Sequence, residues 1–287
     1  MFDSSTKVNG VSPRKLFVFA ALALSIAAEA LPASAGSLAD AKTSGVIIGI
    51  ANDPPLMRMD ENGSPAGLGP ELDKAILNEI GISQVTGQVM EYGALIPALQ
   101  SKRVNISSGG ALFIKPERCE AVAFSDPISC DGAGFIIPVS LVGKVKTFKD
   151  VADQSLRIGV CGGCVEQQYA IKAGVSEDKI VVYPESVSGL KLLIDKRIDV
   201  FATSASVASD LQRNGDSSTK FVQAEDVPLG CGGAAFNKED VELRDAYNEG
   251  LKKIRANGKY MEILNKYGKE GVAFGVDKAS VEKLCAK

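Results

Sequence analysis

Short apolar segments alternate with helical segments in both halves of the chain, and this alternation constrains the fold more than any other feature. In the first half, Val46–Ile50 is typical of a buried strand, and Pro70 and Gly81 suit the two ends of the helix between them. The same order restarts after Gly132. Such alternation indicates α/β lobes with mainly parallel sheets. The predicted strands are 46–50, 88–92, 104–106, 133–139, 156–160, 180–183 and 198–202, and the predicted helices are 70–80, 94–101, 166–173, 186–195, 205–214, 240–256 and 259–267.

The first 35 residues have the pattern of a secretory signal peptide. Arg14 and Lys15 precede an uncharged apolar run over 16–28, and the triplet ASA at 33–35 fits a cleavage site. The run is far shorter than the ~20 residues that a bilayer requires. No other stretch is long and apolar enough to cross a membrane. We therefore expect the protein to be exported to the periplasm.

The composition argues against several classes of function. The chain has 32 Lys and Arg residues against 35 Asp and Glu residues, and it contains no His. Without His there is no histidine general base, no histidine metal ligand and no Ser-His or Cys-His nucleophile pair. A mildly acidic chain with no basic cluster is a poor nucleic-acid binder. We predict no catalytic residue, metal site or cofactor.

Five segments spread over the chain resemble, in order, the periplasmic solute-binding proteins of ABC importers, in the polar amino acid group (family 3). They are IANDPPLMRMDENGSPAGLGPEL, GALIPALQSKRVNI, FIKPERCEAVAFSDPI, LLIDKRIDVFA and LRDAYNEGLKKIRANGKYMEILNKYG. Within that family the chain is similar to the ectoine/hydroxyectoine-binding branch, through EYGALIPALQ, FIKPERC, SDPISCD, LGCGGAAF and EKLC.

The resemblance implies an α/β, two-lobed periplasmic-binding-protein fold (type II), with two crossover strands and a ligand cleft between the lobes. It places lobe 1 at 36–131 plus 231–287 and lobe 2 at 132–230. A protein of this kind captures a small zwitterionic ligand, here ectoine-like or an amino-acid derivative, and delivers it to the membrane permease of an ABC importer. We expect a monomer that does no chemistry on its ligand.

The resemblance also implies the ligand-binding residues. Arg118 matches the arginine that grips the ligand carboxylate, a role that suits a planar guanidinium in a desolvated cleft. Phe113 and Tyr92 match aromatic residues of ectoine-type sites, and aromatic faces attract a delocalised cation. For each of the three, the alternative is an ordinary packing or surface role.

Four further candidates depart from the family pattern. Asp53 keeps the negative charge of the NEPPF motif on a shorter side chain, whereas Leu56 removes its aromatic ring. Val165 lacks the hydroxyl of the usual Thr, although a backbone N–H at this helix start could still meet a carboxylate. Ser204 stands where an Asp usually holds an α-ammonium. This pattern favours a ligand with delocalised or alkylated positive charge over a free α-amino acid.

Six cysteines in an exported chain favour disulfides, but sequence alone allows fifteen pairings. By resemblance, Cys130 and Cys231 lie on neighbouring crossover strands, and Cys119 with Cys285 would tie the C-terminal tail to lobe 1. The remaining pair, Cys161 and Cys164, is either a local disulfide that stiffens the ligand loop or a redox dithiol at a helix start.

Two other functions stay open at this stage. A polar amino acid or an opine could replace the ectoine-like ligand. An exported dehydratase-like enzyme on the same fold would need an acid or base aimed into the cleft, for which Asp53 is the conceivable group.

Overall fold

The computed structural model describes residues 38–213 and 217–286. The predicted signal peptide at 1–35 lies outside these residues. The strands are β1 (Val46–Ile50), β2 (Arg58–Met59), β3 (Pro65–Ala66), β4 (Val85–Val89), β5 (Ile106–Phe113), β6 (Ala123–Phe124), β7 (Ser129–Asp131), β8 (Ala133–Pro138), β9 (Ile158–Cys161), β10 (Ile180–Tyr183), β11 (Val200–Ser204), β12 (Thr219–Gln223) and β13 (Gly230–Phe236).

The helices follow the strands along the chain. They are α1 (Leu38–Ser44), α2 (Leu68–Asn78), α3 (Leu95–Gln100), α4 (Pro116–Cys119), α5 (Phe148–Asp153), α6 (Val165–Lys172), α7 (Ser186–Ile194), α8 (Ala205–Arg213), α9 (Val241–Ala256), α10 (Lys259–Lys266) and α11 (Val281–Cys285). Short 3₁₀ turns occur at Tyr92–Ala94, Val139–Leu141, Glu177–Lys179, Glu270–Ala273 and Val276–Lys278.

Two sheets form the centres of two lobes, and the predicted two-lobed fold is confirmed. The sheet of the first lobe has the order β4-β1-β5-β13-β6, with β7 also paired to β13. The sheet of the second lobe has the order β10-β9-β11-β8-β12. The chain passes from the first lobe to the second between β7 and β8, and it returns between β12 and β13.

The prediction of mainly parallel sheets is wrong, because each sheet is mixed. The strands β4, β1 and β5 are parallel in the first sheet, as are β10, β9 and β11 in the second. The pairs β5–β13, β11–β8 and β8–β12 are antiparallel. These antiparallel pairs include β8 and β13, the strands by which the chain enters the second lobe and returns to the first.

Apolar stripes on the helices fill the core of the first lobe. Helix α2 buries Leu72, Ile76 and Leu77 on one face, and α9 buries Leu243 and Leu251. Burying such side chains contributes about 1.5–3 kcal/mol each. In the second lobe, α5 begins with a capping box in which the Thr147 hydroxyl accepts from the Asp150 N–H.

Two predicted strands differ in position from the observed ones. The strand expected at 88–92 is β4 at Val85–Val89, and the strand expected at 104–106 runs on to Phe113 as β5. The Gly109-Gly110 pair interrupts the apolar pattern and hides this continuation. The strand persists because β5 is central and hydrogen-bonds to neighbours on both sides.

Candidate functional site

A cavity of about 110 Å³ lies between the two lobes, which is room for several water molecules and therefore for a small solute. Its first-lobe walls come from the residues after β1, from Tyr92 and from β5. Its second-lobe walls come from the segments that follow β9, β10 and β11. The carboxyl ends of parallel strands are the usual location of ligand groups in such sheets.

The structure brings six of the seven predicted ligand-binding residues to this cavity. The exception is Arg118, which does not line it. The six are Asp53, Leu56, Tyr92, Phe113, Val165 and Ser204.

One oxygen of the Asp53 carboxylate accepts no hydrogen bond from the described residues. Its Oδ1 is buried and has no hydrogen-bond partner among the described residues. Burial raises the pKa of Asp53 to about 6, while a hydrogen bond from Ser186 opposes this shift and the charge of Glu185 adds to it. A buried acceptor without a donor costs free energy, so this oxygen favours a ligand with a donor.

A second acceptor without a partner comes from the other lobe. The Oγ of Ser204, at the end of β11, is also buried and has no hydrogen-bond partner within the described part of the chain. Asp53 and Ser204 thus present two buried oxygens to the same cavity. Together they suit a group that carries more than one N–H.

The cavity wall is strongly acidic. Four carboxylates line it, and no Lys or Arg is among the described residues of the wall. Burial raises the pKa of Glu166 to about 7, with the charges of Asp131 and Asp53 adding to the effect and that of Arg118 opposing it. The four are Asp53, Asp131, Glu166 and Glu185.

Two aromatic rings flank this acidic wall. The Tyr92 hydroxyl donates to the Ala111 carbonyl at 2.9 Å, which fixes the ring against β5. The Phe113 ring covers Gly230, where a Cβ would lie 2.5 Å from the ring Cδ2. A glycine at this crossover position is therefore required for the ring to occupy its place beside the cavity.

The Arg118 guanidinium bridges the two lobes. Only 6% of the residue is exposed. Its NH1 donates to the Phe113 carbonyl at 3.0 Å, and its NH2 donates to the Gly163 carbonyl of the second lobe at 3.0 Å. The guanidinium carbon lies 5.7 Å from the centroid of the Tyr92 ring.

Other contacts also cross the cleft. The Asn52 Nδ2 donates to the Glu185 Oε2 at 2.6 Å, and the Lys115 Nζ donates to the Tyr169 hydroxyl at 3.3 Å. With the Arg118 bond, these contacts join the two lobes. The structure is therefore a closed form of the two-lobed protein.

A buried network supports the floor of the cavity. Asp73 of α2 is fully buried and accepts from the Tyr247 hydroxyl at 2.5 Å, the Ser108 hydroxyl at 2.7 Å and the Gly109 N–H at 3.0 Å. Burial raises the pKa of Asp73 to about 6 despite these three donors. The network fixes β5 where Gly109 and Gly110 line the cavity.

All six cysteines are paired in the structure. Cys130 is joined to Cys231, and Cys119 is joined to Cys285, as the resemblance implied. Cys161 is joined to Cys164 at the cavity wall. With Glu166 these two form the group of candidate metal ligands in the described residues, with ligand atoms within 4.8 Å of one another. As a disulfide, however, the two sulfurs are not thiolate ligands.

Several cavity residues were not predicted from the sequence. Glu185 follows β10 after Pro184, and Glu166 lies in the first turn of α6 after β9. Both positions lie just beyond the carboxyl end of a parallel strand. That placement was visible in the sequence pattern and could have identified them.

Two α/β lobes that close over an acidic cavity define a two-lobed binding protein. The chain belongs to the bacterial extracellular solute-binding proteins, family 3, whose model matches residues 46–270. The family resemblance inferred from the sequence is thereby confirmed.

Three relatives illustrate the similarity. A probable amino-acid ABC transporter periplasmic-binding protein, y4tE of Sinorhizobium fredii, is 31% identical over 277 residues, which cover 93% of this chain and 91% of the relative. The crystal structure of EhuB in complex with hydroxyectoine has 38% identity and a TM-score of 0.82, covering 88% of this chain and 98% of the other. The ancestral amino acid-binding protein AncCDT-1, a precursor of cyclohexadienyl dehydratase, has 26% identity and a TM-score of 0.70, with 80% and 98% covered.

Within residues 38–213 and 217–286, no helix has both the length and the apolar character that a membrane crossing requires.

Proposed function

We propose that the protein captures a small zwitterionic solute whose cation is delocalised and bears N–H groups, as in ectoine or hydroxyectoine, and delivers it to the membrane permease of an ABC importer. One observation carries the proposal. The buried Asp53 Oδ1 has no partner among the described residues and lies in a cavity that Tyr92 and Phe113 also line.

The cationic end of the solute is held by charge and by aromatic faces. A delocalised cation placed near Asp53 gives the carboxylate the donor that it lacks and lets it ionise. Contact with Tyr92 and Phe113 adds a cation–π attraction of about 2 kcal/mol where water is excluded. A quaternary ammonium has no N–H, so it would leave Asp53 Oδ1 and Ser204 Oγ without donors.

The carboxylate end is assigned to Arg118. A guanidinium has five N–H donors, and Tyr92, Phe113 and Gly163 account for three of those of Arg118. The other two have no partner among the described residues. We propose that the solute carboxylate accepts hydrogen bonds from these two N–H groups beside Tyr92. It then becomes part of the Arg118 contact that joins the lobes.

The finer organisation follows from the same proposal. We propose a periplasmic monomer with a cleaved signal peptide at 1–35, with lobe 1 at 36–131 plus 231–287 and lobe 2 at 132–230. It binds no nucleic acid and is not an enzyme. The crossovers observed between β7 and β8 and between β12 and β13 support this division.

A polar amino acid or an opine is the second candidate. The four carboxylates of the wall favour a ligand with a strong positive charge, such as L-arginine, whose guanidinium also carries several N–H donors. A dehydratase-like activity is a weaker alternative, based on the raised pKa values of Asp53 and Glu166. Product analysis after incubation with candidate acids would reveal it.

A thermal-shift screen of the mature protein tests the proposal, because a ligand that binds the native state raises its apparent stability. The screen compares ectoine, hydroxyectoine, glycine betaine, an opine and L-arginine. We expect ectoine or hydroxyectoine to give the largest shift and glycine betaine the smallest. Calorimetry of Asp53→Asn should then show weaker binding of the best solute. Glu61→Gln, which removes one negative charge from an exposed position, should bind it as the wild type does.

Two results would contradict the proposal. One is a larger shift with L-arginine than with either ectoine, which would favour the second candidate. The other is unchanged affinity in Asp53→Asn with the fold intact by circular dichroism.

A further inference from the structure

The loop at residues 161–164, with the sequence CGGC, is the second-lobe side of a contact between the lobes. It connects the end of β9 to the start of α6, and both of its cysteines line the cavity. Its Gly163 carbonyl accepts the hydrogen bond from Arg118 at 3.0 Å. The CGGC loop therefore belongs both to the solute cavity and to the closing contact.

The backbone of the CGGC loop packs directly on the first lobe. A Cβ at Gly163 would lie 3.2 Å from the Gly93 Cα, and a Cβ at Gly93 would lie 3.3 Å from the Gly162 carbonyl oxygen. Two backbones approach this closely only where side chains are absent. The shape of the loop is thus matched to the segment around Gly93.

The conformation of the CGGC loop is defined by a left-handed glycine, two hydrogen bonds and a disulfide. Gly163 adopts φ of +78°, a left-handed conformation that favours glycine. Its N–H donates to the Gln167 Oε1 at 2.9 Å, and the Cys164 N–H donates to the Cys161 carbonyl at 3.3 Å. The Cys161–Cys164 disulfide closes the same four-residue turn covalently. Without it, the turn would be held by these two local hydrogen bonds and by the bond from Arg118 across the cleft.

We propose that the Cys161–Cys164 disulfide is a redox-sensitive latch on the solute cleft. In the open form it undergoes thiol–disulfide exchange, in the closed form it is shielded, and its reduction weakens closure. The inference rests on the lobe closure that belongs to the proposed function. It assigns the CGGC loop a role in solute retention beyond lining the cavity.

The exchange requires a dithiol as the reductant. A thiolate of the dithiol attacks one cysteine sulfur, the Cys161–Cys164 bond breaks, and a mixed disulfide forms. The partner cysteine leaves as a thiolate in this step, and the second thiol of the dithiol then attacks the dithiol sulfur of the mixed disulfide and displaces the cysteine that was attacked first. The dithiol leaves as a disulfide, and its two protons end on the thiols of Cys161 and Cys164.

Burial explains why closure would shield this disulfide. Cys164 is 7% exposed and Cys161 is partly buried, and both face the cavity between the lobes. A dithiol must therefore enter through the cleft, which the Arg118–Gly163 and Asn52–Glu185 contacts close. Cys119 and Cys285 are half-buried, as Cys161 is, but they do not line the cavity, so lobe closure should not shield them.

Differential alkylation without any solute tests the shielding. The mature protein is exposed to dithiothreitol for increasing times, the free thiols are alkylated, and each cysteine is quantified by peptide mass spectrometry. Arg118→Ala removes the bond to the CGGC loop, so we expect reduction of Cys161 and Cys164 to become at least about fivefold faster. Arg103→Ala, which removes an exposed first-lobe guanidinium, should leave this rate unchanged.

The labelling of Cys119 and Cys285 serves as the internal control, and in Arg118→Ala, where the substitution adjoins Cys119 in α4, it should rise much less than that of Cys161 and Cys164. Equal reduction rates at Cys161 and Cys164 in the wild type and Arg118→Ala would overturn the latch. An equal acceleration at all six cysteines would also overturn it, because it would indicate general unfolding.

A second measurement tests the effect on solute retention. The double variant Cys161→Ser/Cys164→Ser is compared with Cys119→Ser/Cys285→Ser by calorimetry with hydroxyectoine. We expect about tenfold weaker binding in the first variant and unchanged binding in the second. Equal affinities in the two variants would overturn the latch. If the wild type does not bind hydroxyectoine, the proposed function fails for this solute, and the solute-free reduction rates still decide the latch.

Discussion

The side-chain amide of Asn52 in the first lobe lies 2.6 Å from the carboxylate of Glu185 in the second, measured from Nδ2 to Oε2. Asn52 follows β1 after Ala51, and Glu185 directly precedes α7. Each residue thus occupies a strand end that faces the other lobe. The bond exists only while the lobes are closed, so it contributes to solute affinity by stabilising the closed form.

Loss of this bond should weaken solute binding moderately. A hydrogen bond to a charged group contributes about 1.5–3 kcal/mol where it is buried, and less where one partner is exposed, as Asn52 is. We expect Asn52→Ala to lower the affinity for the best solute by about fivefold to tenfold, measured by calorimetry. Asn62→Ala, in the exposed turn between β2 and β3, is the matched control. Identical affinities in the two variants would show that the bond has no part in closure.

Arg118 should not tolerate lysine. One guanidinium donates to the carbonyls of both Phe113 and Gly163, whereas an ammonium lacks this rigid fork. We expect Arg118→Ala to weaken solute binding by about 2–5 kcal/mol and Arg118→Lys to fall between it and the wild type. Because Arg118 is buried, we expect the Ala variant also to lose about 1–3 kcal/mol in its free energy of unfolding.

Solute affinity and urea unfolding are measured for both Arg118 variants and compared with the wild type. Wild-type affinity in Arg118→Lys would argue against the fork and leave charge alone as the requirement.

The stability of the solute-free protein should fall as the pH rises from about 5 to about 7. Burial raises the pKa of Asp53 to about 6, of Asp73 to about 6 and of Glu166 to about 7. In this window the folded protein binds more protons than the unfolded chain, so the free energy of unfolding decreases with pH. The stabilisation is complete below the unfolded pKa values and is lost as the pH passes the folded ones.

Urea unfolding at pH 5, 6 and 7 would check this dependence. Glu166→Gln removes one of the three groups and should give a shallower slope, whereas Glu61→Gln, an exposed carboxylate, should not. A free energy of unfolding that rises with pH over this range would contradict the prediction.

Restoring the missing aromatic at position 56 should strengthen binding of a delocalised cation. Leu56 lines the cavity near Asp53, and an added ring would provide another face for the cation. We expect Leu56→Phe to raise the affinity for hydroxyectoine by roughly threefold to tenfold, in line with a cation–π contact of about 1 kcal/mol. Leu56→Met keeps an apolar side chain of similar size without a ring and is the control. If both variants bind more tightly, the gain comes from the shape of the side chain and not from the aromatic ring.

The disulfide between Cys119 and Cys285 should stabilise the fold without affecting solute binding. It joins α4 to α11 at the C-terminal end, with a sequence separation of 166 residues and a Cα–Cα distance of 5.8 Å. We expect Cys119→Ser/Cys285→Ser to lower the free energy of unfolding by about 2–4 kcal/mol. Thermal unfolding in the presence and absence of hydroxyectoine would separate the two effects. A smaller ligand-induced shift in the variant would indicate an unexpected connection to the cavity.

The sequence was sufficient for the two-lobed fold and for part of the cavity wall, through apolar patterns and the motifs of the family. Strand β1 and helix α3 follow from apolar runs and their flanking residues, and Tyr92 and Phe113 follow from motifs of the family. The mixed character of the sheets was missed, because it depends on where the crossover strands β8 and β13 insert into their sheets. No local pattern encodes those positions.

The role of Arg118 could not be inferred in the same way. Its motif indicated a cleft residue, but the structure shows that two of its donors are taken by the carbonyls of Phe113 and Gly163. The partner in the second lobe is 45 residues away in sequence and is a backbone atom, which leaves no side-chain signal. The acidic wall was missed for a related reason, since its carboxylates come together only when both lobes are folded.

Cys130 and Cys231 lie opposite each other on β7 and β13, and their disulfide links the strands beside the two crossovers. Two separate connections would allow the lobes to bend towards each other and also to twist. The disulfide adds a covalent link to strands that already pair by backbone hydrogen bonds, so we expect it to oppose twisting more than bending. Opening and closing should then follow mainly one angular coordinate, which a reporter group on either lobe would read out.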